Sequence, residues 1–555
     1  MVHLQEEKVL LIFLLLIAAL LRLYQIHFGA PFLYHPDEIK LVAQAGRLLS
    51  THFADLSTYF AIGTYPPFFT YLLTVPFALY ILVNLLSGRF ASLAEAKIFY
   101  DMTPFPFFLM GRLLVAFMGV ASVWLLYRIV MRLYGKRVAW IAAVLLAVNF
   151  THVQHSHYAT VDLPASFFTL LAVYGAVLLL EKPKASYYLV SGLAAAMALA
   201  SKFSMLFAIL PALYAHGCQV YESGWSWRAL WNRRLLLLVI AAVVGFLLFC
   251  PLFILDFSRS QQGLVETGQF EKEGKLGSGG SLFSYWSGDQ SQGFGVFYPN
   301  DLPSTFGLVL MGFCLAGLVV MLIRHRRSDL LLLSIILPTY FMFEYVAYKA
   351  IRHLLPVVPF FLLAAAIAID GLAERLFSRG ARRLALLIGV LLGLVAIQLQ
   401  RTTHYFNELS KPDPRTLARS WILQHLPDRS RIMTESFPPA LPNCRDAKPG
   451  ETICYQLASF KMTSRRLHLQ ETFKATLRDS MIQYYIADGF TRAFFDWKYS
   501  DKKYPQVVQE RKEFFSWLEA HSQRLQTFRP DDPAIQPEII IYQLPSADPR
   551  PSGFY

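Results

Sequence analysis

Long apolar stretches recur through the first 400 residues and limit this chain to a membrane-spanning fold. The first of them, residues 9–26, reads VLLIFLLLIAALLRLYQI and is long enough to cross a bilayer. It lacks an A-x-A-like cleavage site, so we expect a retained first helix rather than a removed signal peptide. Only 16% of the residues are charged, against about 25% in typical soluble proteins. The chain is therefore predicted to be an α-helical polytopic membrane protein.

Basic residues cluster in the short loops between the apolar stretches. These loops are 128–137, 182–184, 228–234, 324–327 and 375–383. By the positive-inside rule, each of them is expected to face the cytoplasm. The formal net charge of +13 therefore indicates orientation in the membrane and not a nucleic-acid partner.

The remaining spans alternate between these basic loops. They are predicted at 105–131, 138–155, 163–181, 187–200, 203–217, 235–255, 304–323, 329–346, 354–370 and 382–400. A crossing by residues 67–86 would place every later basic loop on the wrong side. Pro66, Pro67 and Pro76 favour a broken segment there, so we predict a membrane-embedded or interfacial helix in the first outer loop. The total is about eleven spans, and a scheme of about thirteen, with another crossing in 87–104, keeps the same sides.

The composition changes after Gln400, and residues 401–555 have the polarity of a soluble domain. We therefore divide the chain into a transmembrane catalytic domain, 1–400, and an extracytoplasmic domain, 401–555. The latter is predicted to contain helices at 414–426 and 505–521 and strands at 430–435, 481–487, 524–529 and 538–543. Helices interleaved with strands indicate an α/β domain. Cys444 and Cys454 can form a disulfide there, because the extracytoplasmic side permits oxidation.

Three carboxylates are predicted to lie at the outer membrane edge. Asp37 and Glu38 follow the first span, where desolvating two acids is costly and therefore indicates a function; the alternative is a pair of solvated loop acids. Residues 39–50 after them are predicted to form an amphipathic helix along the membrane surface. Asp162 precedes a span on the same side, and it is either a helix N-cap, a carboxylate that faces a cavity, or both.

Several cations lie at outer helix ends. Lys202 separates two apolar helices, and it either reaches the interface by snorkelling or contacts an anion. Lys349, Arg352 and His353 follow one another in YKAIRHLLPVVPFF, where a guanidinium can bind phosphate in a fork and a lysine can add a point charge. Arg112 lies just inside a span, either snorkelling or paired with an acid of the outer loop.

Three histidines, His152, His155 and His157, lie within six residues on a short outer loop. Their spacing matches no zinc signature, which favours interfacial side chains over a metal cluster. A divalent metal is left open, and no metal ligand is assigned.

The combination of acids and cations favours an enzyme. Carboxylates can remove a proton from a hydroxyl, and cations at the membrane edge can hold the phosphate of a lipid. A reaction that needs both is transfer of a sugar from a lipid-linked phosphate donor to an acceptor hydroxyl. The alternatives are a transporter or flippase of a lipid-linked precursor, and a receptor that binds a wall polymer through the tail. The chain shows no internal repeat of the kind common in transporters.

Residues 256–303 form a long outer loop without hydrophobic periodicity. We predict a mobile gate for the acceptor, in which Tyr285 and Trp286 stack on a sugar or close the cavity. The alternative is a disordered linker between two spans.

An ordered set of motifs resembles a known family. The set comprises HPDE after the first span, YPPFFTYLL beginning at Tyr65, GRLLVAFMGVASVWLLYRIVMRLYG, SHYATVDLPASFFTLLAVY, LASKFS and IRHLLPVVPFFLLAAA. It resembles the GT-C membrane glycosyltransferases, in the group of protein O-mannosyltransferases and the aminoarabinose transferase of lipid A. The tail segment ARSWILQHLPDRSRIMTES is similar to the outer domain of bacterial and archaeal members.

The resemblance implies a polyprenyl-phosphate sugar donor, a lipid, glycan or protein acceptor, and an inverting displacement on the extracytoplasmic face of a prokaryotic cytoplasmic membrane. By position, Asp37 corresponds to the catalytic acid of the first loop and Asp162 to that of the second. Glu38 beside Asp37 leaves the identity of the base open. Lys202, Arg352 and His353 match basic positions of the family, with Lys349 beside them. Tyr65 and Arg112 are expected to line the cavity.

Overall fold

The computed structural model describes residues 2–32, 34–50, 65–251, 255, 302–303, 305–345, 351–377, 380–445, 453–459, 481–491 and 505–545. Residues 256–301 of the predicted gate, with Tyr285 and Trp286, lie outside these residues, as does Lys349. The chain divides into two units. The first comprises Met1–Ile26 and Asp37–Thr403, and the second comprises His27–Pro36 and His404–Tyr555.

The first unit is built from helices. In chain order they are α1 Val2–Leu23, α2 Pro36–Ser50, α3 Phe68–Leu86, α4 Leu93–Met102, α5 Phe105–Tyr134, α6 Lys136–Val148, α7 Phe150–His155, α8 Asp162–Glu181, α9 Ala185–Ser201, α10 Leu210–Glu222, α11 Trp227–Leu230, α12 Arg233–Phe249, α13 Leu308–Arg324, α14 Arg327–Tyr345, α15 Val358–Leu376 and α16 Ala381–Ser410. Short 3-10 helices occupy Phe203–Ile209 and Ile351–Leu354. The helix expected at 39–50 is present as α2, and its position along the membrane surface stays a prediction.

Six helical stretches in the described part of the chain are long and apolar enough to cross a membrane. They are Phe68–Leu86, Phe105–Tyr134, Asp162–Glu181, Phe203–Glu222, Trp227–Phe249 and Ala381–His425. Large apolar side chains also point outward, among them Phe13, Leu20 and Leu248, each more than 60% exposed. Apolar side chains outside and charged ones inside reverse the pattern of a soluble protein, as lipid surroundings require. The protein is therefore an integral membrane protein.

Helix α3 corrects one prediction from the sequence. Residues 67–86 were expected to form a broken segment, but α3 is a single helix with Pro76 inside it. Proline removes one backbone donor and costs about 3 kcal/mol in a soluble helix. In lipid the other backbone groups have no water to bond, so the helix continues around the proline. Its buried face packs on α5 through an edge-on contact between Phe77 and Phe107, with ring centroids 5.2 Å apart.

A second correction concerns the span predicted at 138–155. Helix α6 ends at Val148, and α7 begins only after Asn149. The Asn149 side chain accepts a hydrogen bond of 3.0 Å from the backbone N–H of His152 and so caps α7. Asparagine favours such capping because its side chain competes with the continuing helix for backbone donors. The residues predicted as one span therefore form two helices, α6 and α7.

The second unit contains a five-stranded sheet. Its strands are β1 Arg431–Thr434, β2 Gln456–Ser459, β3 Tyr484–Asp488, β4 Gln523–Phe528 and β5 Ile539–Gln543, in the order β2-β1-β3-β5-β4. Strand β1 pairs in parallel with β2 and β3, whereas β5 pairs antiparallel with β3 and β4. The helices α17 Pro414–His425 and α18 Pro505–His521 lie where the sequence predicted them. Strand β2 was not predicted, because its four residues show no clear alternation.

Hydrophobic side chains alternate along the strands and form two cores. One includes Met433, Tyr485 and Phe514, and the other includes Ile422 and Ile486. Successive side chains of a strand point to opposite faces of the sheet. Apolar side chains on both faces therefore require packing partners on both sides of the sheet. Cys444 and Cys454 are joined by a disulfide, as expected.

The contact of α13 with α15 yields a stability prediction. A Cβ atom built on Gly317 would overlap the backbone carbonyl of Ala364, whereas one on Gly312 of the same helix meets nothing within 4 Å. We expect Gly317→Ala to separate the two helices and lower the thermal unfolding temperature in detergent, because small residues permit such close backbone approach. Gly312→Ala is the matched control and should be neutral or slightly stabilising. Equal unfolding temperatures for the two variants would contradict the packing.

Candidate active site

A buried ion pair joins the first outer loop to α5. The guanidinium of Arg112 donates from Nε and Nη2 to the two carboxylate oxygens of Glu38, at 2.8 Å each. Both side chains are only 1% exposed. Such a bidentate pair is directional and strong, because both groups are charged and the geometry is planar. The pairing of Arg112 with an outer-loop acid, one of the two alternatives from the sequence, is therefore confirmed.

Further hydrogen bonds extend this pair to two other segments. Arg112 Nη1 donates to the carbonyl of Ile26 at 2.9 Å, just beyond α1. The backbone N–H of Ala159 donates to Glu38 Oε1 at 2.8 Å, and Ala159 lies in the loop that leads to Asp162. Glu38 thus links both acid-bearing loops. We call Glu38, Arg112, Ile26 and Ala159 the acid-loop anchor.

Asp37 stands beside the anchor with a different partner. Its Oδ2 lies 3.3 Å from Nη1 of Arg352, a longer separation than in the anchor. The Asp37 side chain is 13% exposed and that of Arg352 is 27% exposed. A partly accessible carboxylate can receive a proton from a bound substrate, whereas a carboxylate buried in a bidentate pair cannot readily do so.

Asp162 forms a second close ion pair. Nζ of Lys202 lies 2.7 Å from Asp162 Oδ1, and both side chains are at most 10% exposed. Asp162 is the first residue of α8, and the capping position before it is Val161, without a side-chain cap bond. The predicted N-cap role of Asp162 is therefore wrong, because its carboxylate bonds the ammonium instead. Lys202 is buried and lies 5.8 Å from the ring centroid of Phe343, so it does not snorkel to the interface.

His353 lies among these charges. It is 5% exposed, and its ring packs 5.3 Å from that of Phe343. Burial, followed by the charges of Lys202 and Arg352, holds the pKa of His353 well below its usual range. The imidazole is therefore neutral at physiological pH, and it shapes the site without adding a third positive charge.

The structure does not test the roles of four other predicted site residues. Tyr65 is half-buried just before α3, and its role as a cavity residue stays a prediction. The roles of Lys349, Tyr285 and Trp286 also stay predictions, because these residues lie outside the described ranges.

The three clustered histidines do not converge on one point. The ring nitrogens of His157 lie 2.9 Å from the carbonyl oxygens of Val153 and Tyr24. Nδ1 of His152 lies 2.9 Å from Nη2 of Arg22. Among the residues that the structure describes, no three His, Cys, Asp or Glu side chains form a group suited to a metal ion.

Arg22, which is fully buried in α1, was not predicted from the sequence as a functional residue. Its guanidinium donates to the carbonyls of Leu146 and Ala147 at the end of α6, at 3.2 and 2.9 Å. Helix C-termini carry partial negative charge, which compensates a buried cation. The available signal was a single arginine inside an apolar run of the first span. Arg22 thereby fastens the start of the loop that ends at Asp162.

Two comparisons relate the chain to known proteins. Residues 96–254 match the family model described as dolichyl-phosphate-mannose-protein mannosyltransferase, and residues 291–413 match the Alg9-like mannosyltransferase family. Crystal structures of ArnT from Cupriavidus metallidurans share the fold over 97% of this chain and 98% of theirs. The apo structure has 16% sequence identity and a TM-score of 0.51, and the structure bound to undecaprenyl phosphate has 13% and 0.50. No curated protein sequence matches the chain significantly.

The acid-loop anchor predicts strong coupling between its two charges. We expect Glu38→Gln and Arg112→Met each to destabilise the protein by about 3–5 kcal/mol, because each leaves a buried charge unpaired. The double variant should lose less than the sum of the two. Thermal unfolding in detergent measures this double-mutant cycle.

The exposed pair of Arg132 and Glu181 is the matched control. Its side chains are 30% and 42% exposed, so the same cycle should give a coupling of about 1 kcal/mol or less. Additive losses at Glu38 and Arg112 would show that the two residues are not coupled.

Proposed function

We propose that this chain is a GT-C membrane glycosyltransferase. It transfers a sugar from a polyprenyl-phosphate donor to an acceptor hydroxyl or phosphate, with inversion at the anomeric carbon. One observation carries the proposal: the accessible carboxylate of Asp37 lies 3.3 Å from the guanidinium of Arg352. A proton acceptor and a phosphate-binding cation thus occupy adjacent positions. The structural neighbour ArnT was crystallised with undecaprenyl phosphate.

Asp37 is the general base in this proposal. It removes the proton of the acceptor hydroxyl, and the acceptor oxygen forms a bond to the anomeric carbon. The bond from that carbon to the phosphate oxygen breaks, and its electron pair stays on the leaving polyprenyl phosphate. Attack from the face opposite the phosphate inverts the configuration. Glu38 is not the base, because both of its oxygens are bound within the acid-loop anchor.

The charges of the site balance during this step. Protonation removes the negative charge of Asp37 while cleavage adds one to the leaving phosphate. Arg352 can therefore transfer its electrostatic attraction from the carboxylate to the phosphate as the reaction proceeds. Lys202 supplies a second cation, and Asp162 holds its ammonium at 2.7 Å. The two cations therefore stabilise the charge that develops on the leaving phosphate in the transition state more than the charge of the bound donor.

The competing functions gain less support. The comparisons give no support to a transporter or flippase. A receptor for a wall polymer would need neither the paired charges at Asp37 and Asp162 nor their burial, which is costly without a chemical purpose.

We further propose the orientation of the protein. The positive-inside pattern supports about eleven spans, with the two acids and residues 401–555 on the extracytoplasmic side. The sheet and helices of the second unit support an α/β domain. The disulfide between Cys444 and Cys454 also fits an oxidising compartment, such as the outer side of a prokaryotic cytoplasmic membrane.

Kinetics can separate the base from the phosphate-binding cation. Asp37→Asn keeps the shape of the side chain but removes the proton acceptor, so kcat should fall about 10²-fold or more with little change in the donor KM. Arg352→Gln and Lys202→Gln should instead raise the donor KM more than the acceptor KM. Purified protein and a panel of lipid-phosphate sugars provide the assay.

Wild-type turnover by Asp37→Asn, at normal expression, would mean that another group is the base. Unchanged donor KM in both cation variants would remove them from the donor site. If the wild-type protein uses no donor of the panel, the proposed donor class is wrong.

A reporter fusion tests the orientation without any substrate. A reporter that is active only in the cytoplasm, fused after Tyr555, should stay inactive, because the tail is expected outside. The same reporter inserted in the basic loop 182–184 should be active and serves as the control. Activity after Tyr555 would overturn the span count.

A further inference from the structure

The second unit contains a short segment from the beginning of the chain. Residues His27–Pro36 belong to it, and the chain enters the first unit at Asp37. The boundary between the two units therefore falls directly before the proposed base. The contacts that hold this segment lie within the second unit and centre on Arg415.

Arg415 is buried at the start of α17 and binds two partners at once. Its Nε and Nη2 donate to the carboxylate oxygens of Asp413, at 2.9 and 2.6 Å. Its Nη1 donates to the backbone carbonyl of Tyr34 at 3.2 Å. The guanidinium carbon also lies 4.0 Å from the ring centroid of Tyr34, within the range of a cation–π contact. Asp413 thus orients the guanidinium, and the guanidinium holds Tyr34.

Neighbouring groups complete this contact. The hydroxyl of Tyr34 lies 2.7 Å from Oγ1 of Thr416, and the guanidinium of Arg419 lies 4.7 Å from the ring of Phe32. Burial raises the pKa of Tyr34 to about 12, so the phenol stays neutral and keeps its hydrogen bond at physiological pH. We call Phe32, Tyr34, Arg415, Thr416 and Arg419 the loop clasp.

We propose that Arg415 is a positioning residue for catalysis: through the loop clasp, it fixes the chain that leads into Asp37. Only His35 and Pro36 separate Tyr34 from Asp37, a distance of about 10 Å at full extension. The ring of Pro36 restricts one of the backbone dihedral angles between them, its own φ. The inference rests on the proposed role of Asp37 as the base.

Asp37 is then held from both sides along the chain. The loop clasp fixes Tyr34 before it, and the acid-loop anchor fixes Glu38 after it. Fixing the backbone of one residue costs about 1–2 kcal/mol in conformational entropy, which the clasp supplies before substrate binds. A displacement of about 1 Å at a reacting group can cost about 10²-fold in rate. Loss of the clasp should therefore lower kcat through the position of Asp37.

The experiment compares three variants of the full-length protein. Arg415→Ala removes the clasp, and Arg415→Lys keeps the charge but loses the planar fork. Arg524→Ala is the control for loss of an arginine–carboxylate pair elsewhere in the second unit. Arg524 pairs with Glu519 at 2.5 Å and lies 6.0 Å from the ring of Tyr542, with 43% of its side chain exposed against 6% for Arg415. Kinetics with lipid-phosphate sugars give kcat and the donor KM. Hydrogen exchange of the peptide covering residues 30–42 reports the order of the loop without any substrate.

We expect Arg415→Ala to lower kcat at least tenfold with an unchanged donor KM and to speed exchange at residues 34–38. Arg415→Lys should recover part of kcat, and Arg524→Ala should match the wild type in both measurements. Unchanged kcat and exchange in Arg415→Ala would overturn the inference, as would a loss of kcat with equal loss in Arg524→Ala. A wild-type protein without turnover refutes the proposed function, whereas the exchange measurement still decides whether Arg415 orders the loop.

Discussion

The structure around the proposed active site depends on one buried ion pair, Glu38 with Arg112. Neither charge could be buried alone in a membrane protein without a large desolvation cost. Together they cross-link four segments of the first unit, from the end of α1 to the loop before α8. The pair thereby brings the two acid-bearing loops, far apart in the sequence, to the same place. The pair also leaves Asp37, the residue directly before Glu38, available for chemistry.

Asp37 and Glu38 are adjacent in the sequence but have different surroundings. Glu38 is saturated with donors and can only position its neighbours, whereas Asp37 is partly accessible beside Arg352. Asp162 resembles Glu38 in this respect, because a buried lysine neutralises it. Because two of the acids are tightly paired and Asp37 is not, the geometry supports the proposal that Asp37 accepts the proton. The same logic explains why His353, neutral through burial, contributes shape rather than charge.

Several features could be read from residues alone. Apolar length predicts the spans because lipid forces every backbone group into a helix, and the helices at 105–134 and 233–249 agree with that expectation. Hydrophobic periodicity predicts the amphipathic helix after Asp37. It also predicts the strands at 431–434 and 539–543. Two local preferences did not decide the structure. The N-cap that was one alternative for Asp162 is absent, and its carboxylate bonds a lysine 40 residues away. The break expected at Pro76 is also absent, because surrounding lipid favours an unbroken helix.

The sequence by itself determined that this is a membrane protein and predicted the acids and cations of its site, since hydropathy, charge and motif order are properties of the chain. It could not determine which acid is free, because that depends on which donors reach each carboxylate. Arg112 lies 74 residues from Glu38, and Arg415 lies 381 residues from Tyr34. Only the tertiary structure decides such pairings. The energy of these ion pairs and hydrogen bonds depends on the distance between the groups and on their burial. Neither quantity can be read from the order of the residues.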